Sequence, residues 1–263
     1  TGNTVVYDGS RLVVGNAGAL GTSTVLLQGN SILELTTGAW DALGTRLDAG
    51  SSGTLKLSGN ATGTTTAALG KVSYEIGSGT RLTLSAGTYA NTITGAGNLW
   101  SASGTTVLKG TVDIGGEYRL IGVQGTASSW TLDSNASLTA GSFIGRYEFN
   151  GTTTLNVKEG AVMNITGTLR LARDGKSVMN IERGGMVLAQ KLDLGQEWAG
   201  DAKGAAVNLN GGTLMLGAGG MVATGNANAI SLNLNSGTLG TTAAEGWSSA
   251  YNMTLTGNVT VDT

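Results

Sequence analysis

The chain has 263 residues, of which 12% are charged, and its formal net charge at pH 7 is −2. It contains no His, no Cys and no Pro. Disulfides, the common zinc and copper sites and the Ser-His and Cys-His nucleophile systems are therefore excluded. The small negative charge gives no electrostatic reason to expect nucleic acid or an anionic membrane as a partner. No apolar run approaches the ~20 residues of a membrane-spanning helix.

Glycine and short alternating segments dominate the first half of the chain. Gly accounts for 45 of the 263 residues, far above its usual share of ~7%. Turn-forming runs such as GNAGALGTS and DAGSSG separate stretches in which apolar and polar residues alternate. This period of two predicts β-strands joined by tight turns. The first predicted strands are Thr4–Tyr7, Arg11–Val14, Thr24–Leu27, Ile32–Leu35, Thr54–Leu57, Val72–Ile76 and Arg81–Leu84.

A single frame recurs in the second half: Asn, an apolar residue, two polar positions, Gly, any residue and an apolar residue. It occurs as NVKEGAV, NIERGGM, NLNGGTL and NLNSGTL, which begin at Asn156, Asn180, Asn208 and Asn233. The intervals are 24 (180−156), 28 (208−180) and 25 (233−208) residues. A period in the twenties is typical of a solenoid. Looser versions of the frame occur at Ile76–Leu82 and Leu132–Leu138.

These patterns predict an all-β, parallel β-helix (solenoid) of about ten coils, since 263/25 is close to ten. It forms one domain over residues 1–263, with less regular coils in 1–150 and regular coils in 151–263. At ~4.8 Å per coil the rod is on the order of 50 Å long. The rival fold is an antiparallel sandwich or jelly roll, which also uses short strands and Gly turns. Because the repeat pattern reaches both ends, and no signal peptide precedes Thr1, we expect a piece of a longer secreted protein.

The frame assigns structural roles to its positions. Val157, Ile181, Leu209 and Leu234 hold the same place and are expected to form one inward column. Two interpretations remain open for the repeated asparagines: a hydrogen-bonded Asn ladder between coils, or outward polar positions without a ladder. These are Asn156, Asn180, Asn208 and Asn233. The repeated glycines are expected to be turn residues with positive φ. These are Gly160, Gly184, Gly212 and Gly237.

Two stretches resemble autotransporter passenger domains of bacteria. Ile93–Leu99 (ITGAGNL), continued by Gly104–Gly110 (GTTVLKG), is similar to the I-x-G-x-G-x-L…G-x-x-x-L-x-G pattern of the autotransporter-associated β-strand repeat. The stretch from Leu234 to Thr263 resembles a block that recurs in proteins of this class, whereas Trp100 stands where the typical repeat has Lys. The resemblance covers about half of the chain. It implies a right-handed parallel β-helix, exported by type V secretion to the bacterial cell surface, in a family of adhesins, aggregation factors, proteases and stalks.

Residues that could carry chemistry are few. Charged residues concentrate between Arg170 and Lys203 with mixed signs, which is typical of a solvated, mutually paired surface. Conceivable carboxylate pairs for glycoside hydrolysis are Asp113 with Glu117 and Glu182 with Asp193. Loop tryptophans at positions 40, 198 and 247 either contact a ligand or cover a coil. We expect no catalytic residues, no metal and no cofactor.

The longest interval between frames contains GQEWAGDAKG, and insertions in repeat proteins often form the binding face. Trp198 with Glu197, Asp201 and Lys203 is therefore the candidate contact for a host glycan or surface protein.

The leading hypothesis is a non-catalytic segment of a surface autotransporter passenger that serves as a stalk or adhesin. One alternative is a carbohydrate-active β-helix enzyme, a polysaccharide lyase or hydrolase, which would need a cleft with convergent charged residues. Another is an extracellular filament subunit that associates end to end through open strand edges. No nucleic-acid partner and no membrane contact within this segment are expected.

Overall fold

The protein is described by a computed structural model that covers residues 2–41, 43–65, 71–148, 151–195, 204–224, 229–244, 246–249 and 251–262. Every strand pair within these residues is parallel. The strands form a β-solenoid of about ten turns. The predicted all-β solenoid is confirmed, and the antiparallel sandwich is excluded, because a sandwich pairs its strands antiparallel.

Three ladders of stacked strands run along the solenoid. Ladder 1 holds β10 Gly87–Tyr89, β13 Thr105–Leu108, β16 Thr126–Leu132, β19 Gly151–Val157, β21 Lys176–Glu182, β25 Thr254–Leu255 and the first parts of β23 Ala205–Val222 and β24 Ile230–Thr241. It is preceded by a separate two-stranded sheet of β1 Thr4–Val6 and β3 Val25–Leu27. Ladder 2 holds β2 Arg11–Val14, β4 Ile32–Leu35, β6 Thr54–Leu57, β8 Ser73–Ile76, β11 Ile93–Gly95, β14 Thr111–Ile114, β17 Ser137–Ala140, β26 Val259–Asp262, the first parts of β20 Val162–Arg170 and β22 Met186–Asp193, and later parts of β23 and β24.

Ladder 3 holds β5 Ala39–Trp40, β7 Thr62–Thr65, β9 Arg81–Leu84, β12 Asn98–Ser101, β15 Glu117–Ile121, β18 Ser142–Tyr147 and the ends of β20, β22 and β23. Ladder 2 is unbroken from β2 to β26. Helical structure in the described residues is limited to a 3₁₀ turn at Ala17–Leu20 and the single turn α1 at Leu43–Arg46. Several predicted strands match to the residue: Arg11–Val14, Ile32–Leu35, Thr54–Leu57 and Arg81–Leu84.

Alternation of inward and outward side chains builds the core. In β9, Leu82 and Leu84 are buried while Arg81 and Thr83 face outward and are half-buried. Stacking then brings equivalent apolar side chains of successive coils about 4.8 Å apart. The predicted column is confirmed, because Val157 pairs with Ile181, Ile181 with Leu209 and Leu209 with Leu234, and all four side chains are buried.

Coil length varies along the solenoid. In ladder 2 the first two intervals are 21 (33−12) and 22 (55−33) residues, and two runs follow them. Leu55, Tyr74, Ile93 and Val112 pair in succession at equal intervals (74−55, 93−74 and 112−93), and we refer to the coils between them as the short coils. The next step, from Val112 to Leu138, is longer by seven positions (138−112 against 112−93) and opens the second run.

The positions of the strands in the ladders show that one of the two looser frames does not correspond to the later frame. Leu132 does pair with Val157, as the frame requires. The segment Ile76–Leu82 instead connects ladder 2 to ladder 3, whereas the frame connects ladder 1 to ladder 2.

An aromatic cluster fills the core where the coil becomes longer. Tyr118, Trp130 and Phe143 are buried, and their ring centroids lie 5.3 to 5.9 Å apart in edge-to-face geometry. The Trp130 Nε1–H donates to the Tyr118 hydroxyl at 2.9 Å, and that hydroxyl is 2.7 Å from the Ser101 hydroxyl. Large side chains suit this position because a wider coil must be filled to the density of a protein interior.

Buried tyrosines predict a loss of stability at alkaline pH. Burial raises the pKa of Tyr118 and of Tyr74 to about 12, although hydrogen bonds with Ser101, Trp130 and Thr65 act in the opposite direction. An unfolded tyrosine ionises near pH ~10. The neutral form therefore stabilises the fold fully below pH ~10, and this contribution is lost as the pH rises towards about 12. Phenolate absorbance and circular dichroism should change together over this range.

Comparison with a Tyr118→Phe variant isolates the ionisation of this one residue. The prediction is contradicted if the absorbance that is missing in the variant develops near pH ~10 while the wild-type fold is intact.

Candidate functional site

The loop predicted to bind a partner lies in 196–203, outside the described residues. It contains Glu197, Trp198, Asp201 and Lys203. The strands that flank this segment, β22 and β23, are adjacent in ladder 2. The binding role of this loop stays a prediction.

The other loop tryptophans cover coils. Trp40 is buried and its Nε1–H donates to the Thr37 carbonyl at 2.8 Å. Trp247 is half-buried and donates to the Gly240 carbonyl at 3.0 Å. Each indole N–H is thus taken by the protein's own backbone. The Trp40 ring is covered, whereas the Trp247 ring lines an apolar groove at the last coil.

The repeated asparagines form a hydrogen-bonded ladder, which decides between the two interpretations. Asn180 Nδ2 donates to Asn156 Oδ1 at 2.9 Å, Asn208 Nδ2 to Asn180 Oδ1 at 2.8 Å, and Asn233 Nδ2 to Asn208 Oδ1 at 2.7 Å. The row continues to Thr131, whose hydroxyl accepts from Asn156 Nδ2 at 3.4 Å. The ladder is partly buried and joins coils together, so its role is structural.

Removing an inner asparagine should interrupt this ladder. Asn208→Ala deletes one donated and one accepted hydrogen bond, so we expect a loss of about 2 kcal/mol in unfolding free energy, at about 1 kcal/mol per bond. Asn210→Ala is the matched control, because the Asn210 side chain is exposed and accepts one bond, from Asn235 at 2.7 Å. Urea unfolding should show the larger loss for Asn208→Ala. Equal losses would mean that the inner ladder is no stronger than an exposed pair.

Three of the four predicted turn glycines have positive φ. Gly160, Gly184 and Gly237 have φ of 70°, 74° and 111°. The prediction for Gly212 is wrong, since Gly211 takes the positive φ of 91° instead. Glu182 pairs with both Asn210 and Gly211, and this bulge moves the turn one residue earlier. Gly212 is needed for space, because a Cβ there would lie 2.6 Å from the Glu182 carbonyl oxygen.

The candidate carboxylate pairs are engaged with different partners. Glu182 accepts from Lys158 Nζ at 2.7 Å. Asp193 is fully buried, and its two oxygens accept from Arg170 Nη2 at 3.0 Å and from the Gly195 and Thr224 N–H groups at 3.0 Å. A carboxylate that is closed off from solvent and saturated with donors cannot act on a substrate.

The two carboxylates of the other candidate pair, Asp113 and Glu117, lie on different faces of the solenoid. Asp113 is exposed on ladder 2, whereas Glu117 lies on ladder 3 and ion-pairs with Arg119. Neither candidate pair therefore forms a convergent acid–base site. Within the described residues no group of three or more acidic side chains could hold a metal ion. No helix in the described part of the chain is long and apolar enough to cross a bilayer.

Five side chains form an Arg–aromatic stack on the outer face of ladder 3: Arg81, Trp100, Arg119, Tyr147 and Arg173. Arg81 Cζ lies 4.2 Å and Arg119 Cζ 5.3 Å from the Trp100 ring centroid. Arg119 Cζ is also 4.2 Å from the Tyr147 ring centroid, and Arg173 Cζ is 4.4 Å from it. Guanidinium groups and rings thus alternate along the solenoid, and all five side chains are half-buried.

The charges of this stack are unevenly compensated. Arg119 Nε pairs with Glu117, and Arg173 Nη1 lies 3.3 Å from Asp174 Oδ2. Arg81 has no ion-pair partner within the described residues. The region around Trp100 therefore has two guanidinium groups and one carboxylate, and one positive charge is left uncompensated.

The stack was not predicted from the sequence, although a signal was present. Arg81, Trp100 and Arg119 follow one another at equal intervals (100−81 and 119−100). Only the interval from Trp100 to Arg119 is one coil, because these two residues pair in register. Arg81 pairs with Asn98, two residues before Trp100, so it lies on the same outward face and contacts the ring diagonally.

The last coil leaves part of the core open. Leu255 and Val261 continue the inward columns of Leu234 and Leu239, yet they are 59% and 60% exposed. They line an apolar groove of about 300 Å³ together with Trp247. In the first coil, by contrast, the inward Val6 is only 5% exposed. Open strand edges can pair with another chain, and self-association through this end stays a prediction.

Comparison with known proteins found no relative of this chain. No protein-family model matches the chain, and neither a curated protein nor a solved structure matches it. The fold is that of a parallel β-solenoid, a scaffold compatible with several functions.

Proposed function

We propose that this chain is a non-catalytic segment of a bacterial surface autotransporter passenger, in which it serves as a stalk with an adhesive side surface. The observation that carries the proposal is the unbroken ladder 2, which links the first coil to the last through parallel strand pairs. A rod on the order of 50 Å built this way keeps its two ends apart by its own length, which is the function of a stalk.

The side chains support a passive role. The Asn ladder, the core column and the Asp193–Arg170 pair all connect one coil to the next. Of the carboxylates considered for catalysis, Asp193 is buried and saturated, and Glu117 and Glu182 are ion-paired. Asp113 is exposed on a different face from Glu117. The resemblance of Ile93–Gly110 to the autotransporter-associated repeat supplies the cellular setting of this proposal.

Surface location is tested on intact cells of the source organism. Antibodies raised against the purified chain should label intact bacteria, and external protease should remove the label. Labelling that requires lysed cells would refute the proposed location.

The non-catalytic role is tested separately with purified protein. We expect no release of reducing ends or unsaturated sugars from a panel of polysaccharides. Release that is abolished by Asp113→Asn or Glu117→Gln would instead establish a carbohydrate-active enzyme.

A further inference from the structure

We propose that Arg81, Trp100 and Arg119 form a binding site for an acidic polysaccharide that lies along the solenoid axis. The inference rests on the adhesive part of the proposed function and names its ligand class. It is carried by the availability of the guanidinium donors, their spacing and the position of the indole ring between them.

The guanidinium groups keep donors available. Stacking on an aromatic ring uses the face of a guanidinium and leaves its N–H groups in the plane for hydrogen bonds to a carboxylate or sulfate. In the described residues, the terminal nitrogens of Arg81 and Arg119 have no hydrogen-bond partner, and they are not among the buried polar atoms. Asn98, which pairs with Arg81 in ladder 3, accepts from the Glu117 N–H through Oδ1 and has its Nδ2 without a partner in this part of the chain.

The arginines are also held in position. Arg119 lies between two rings, at 5.3 Å from the Trp100 centroid and 4.2 Å from the Tyr147 centroid. Arg81 lies against Trp100 from the preceding coil. A side chain that is ordered before binding loses less conformational entropy when it binds. The site therefore offers two fixed anion-binding forks rather than two mobile surface charges.

The spacing of the two forks suits a linear glycan. Arg81 and Arg119 belong to strands two rungs apart, so they are separated by ~10 Å along the axis. An extended polysaccharide with an acid group on every second sugar carries its charges at a comparable repeat. Consecutive acid groups of one chain can therefore reach consecutive forks.

The same geometry selects against neutral sugars. A neutral sugar ring binds a tryptophan mainly by stacking on the face of the indole. Arg81 and Arg119 come from the preceding and the following coil and lie over the Trp100 ring, so they occupy these faces. Recognition must then come from the guanidinium edges. Single-stranded nucleic acid is the alternative polyanion, and it gains much of its affinity from stacking bases on aromatic rings. Arg81 and Arg119 already lie over the Trp100 ring, which disfavours this mode of binding.

Binding of purified protein to defined polymers tests the proposal. Heparin and polygalacturonate supply sulfate and carboxylate groups, dextran is the neutral polymer, and single-stranded DNA is the alternative polyanion. We expect wild-type protein to bind at least one acidic polysaccharide, with affinity that falls as salt is added, and to bind dextran and DNA at least tenfold more weakly. The double variant Arg81→Gln, Arg119→Gln should lose at least tenfold in affinity.

A charge-matched control separates the site from bulk charge. Lys176 and Arg183 are exposed and have no ion-pair partner among the described residues, so Lys176→Gln with Arg183→Gln removes the same charge elsewhere. This control should bind within twofold of wild type. Circular dichroism checks the folding of each variant, and Arg81→Gln alone, with an expected loss of at least threefold, replaces the double variant if that protein does not fold.

Four results would overturn the inference: no binding of either acidic polymer, equal binding of dextran, equal binding of DNA, or equal losses in the site and control variants. Surface labelling of intact cells does not depend on these results. Failure of the glycan site is therefore distinguishable from failure of the stalk proposal.

Discussion

Replacement of Leu209 by alanine is expected to lower the free energy of unfolding by about 2–5 kcal/mol. Leu209 is fully buried and lies between Ile181 and Leu234 in the inward column of ladder 1. The truncated side chain leaves a cavity that neighbouring coils cannot close, because their positions are fixed by backbone hydrogen bonds on both sides. Urea unfolding measures the loss, and hydrogen exchange should place it in the coils next to Leu209.

Leu255 provides the control at the end of the same column. Its side chain pairs in register with Leu234 but is 59% exposed, so Leu255→Ala removes far less buried area. We expect this variant to lose less than about 1 kcal/mol. Similar losses for Leu209→Ala and Leu255→Ala would refute the explanation that packing between two neighbouring coils makes the inner leucine contribute more to the free energy of unfolding.

Loss of the Asp193 carboxylate is expected to cost about 3–5 kcal/mol. Asp193 is fully buried and connects three coils, because it accepts from Arg170, from Gly195 next to it and from Thr224 of the following coil. Asp193→Ala removes the shared acceptor of two backbone N–H groups and of the partly buried Arg170 guanidinium. Asp193→Asn should lose less, since its amide oxygen can still accept from one or both N–H groups.

The Lys158–Glu182 pair is the matched control for ion pairing alone. Both side chains are 36% exposed, and the pair also joins adjacent coils. Because water solvates both partners, Glu182→Ala should cost less than about 1 kcal/mol. Thermal unfolding of both variants provides the comparison. The prediction fails if Asp193→Ala is as stable as Glu182→Ala.

The parts of the fold that depend on local pattern could be predicted from the sequence. Alternation with a period of two located strands such as Arg81–Leu84, and the repeated frame aligned Val157 with Leu234 across three steps. The short coils could not be recognised in this way, because their turns contain no shared Asn–Gly frame. A coil length is set by which strands stack, and this pairing is a property of distant segments rather than of any one of them.

The Arg–aromatic stack could not be predicted for the same reason, because it also depends on which strands pair. Arg81, Trp100 and Arg119 meet because their strands are neighbours in ladder 3, with Arg119 in register with Trp100 and Arg81 in register with Asn98. Without that pairing, each residue reads as an isolated polar or aromatic position. The error at Gly212 has a different origin. Two adjacent glycines are both able to adopt positive φ, and the sequence frame cannot show that a bulge opposite Glu182 assigns it to Gly211.

The aromatic cluster of Tyr118, Trp130 and Phe143 has a consequence for how such a chain can change its length. Among the short coils, ladder 2 repeats at equal intervals, so duplication or deletion of one whole coil would keep its register. At the cluster, the last short coil is followed by a longer coil, and the three rings fill the core where these two coil sizes meet. We therefore expect natural variation in rod length to occur by whole coils on either side of Trp130, with the junction itself inherited as an indivisible unit.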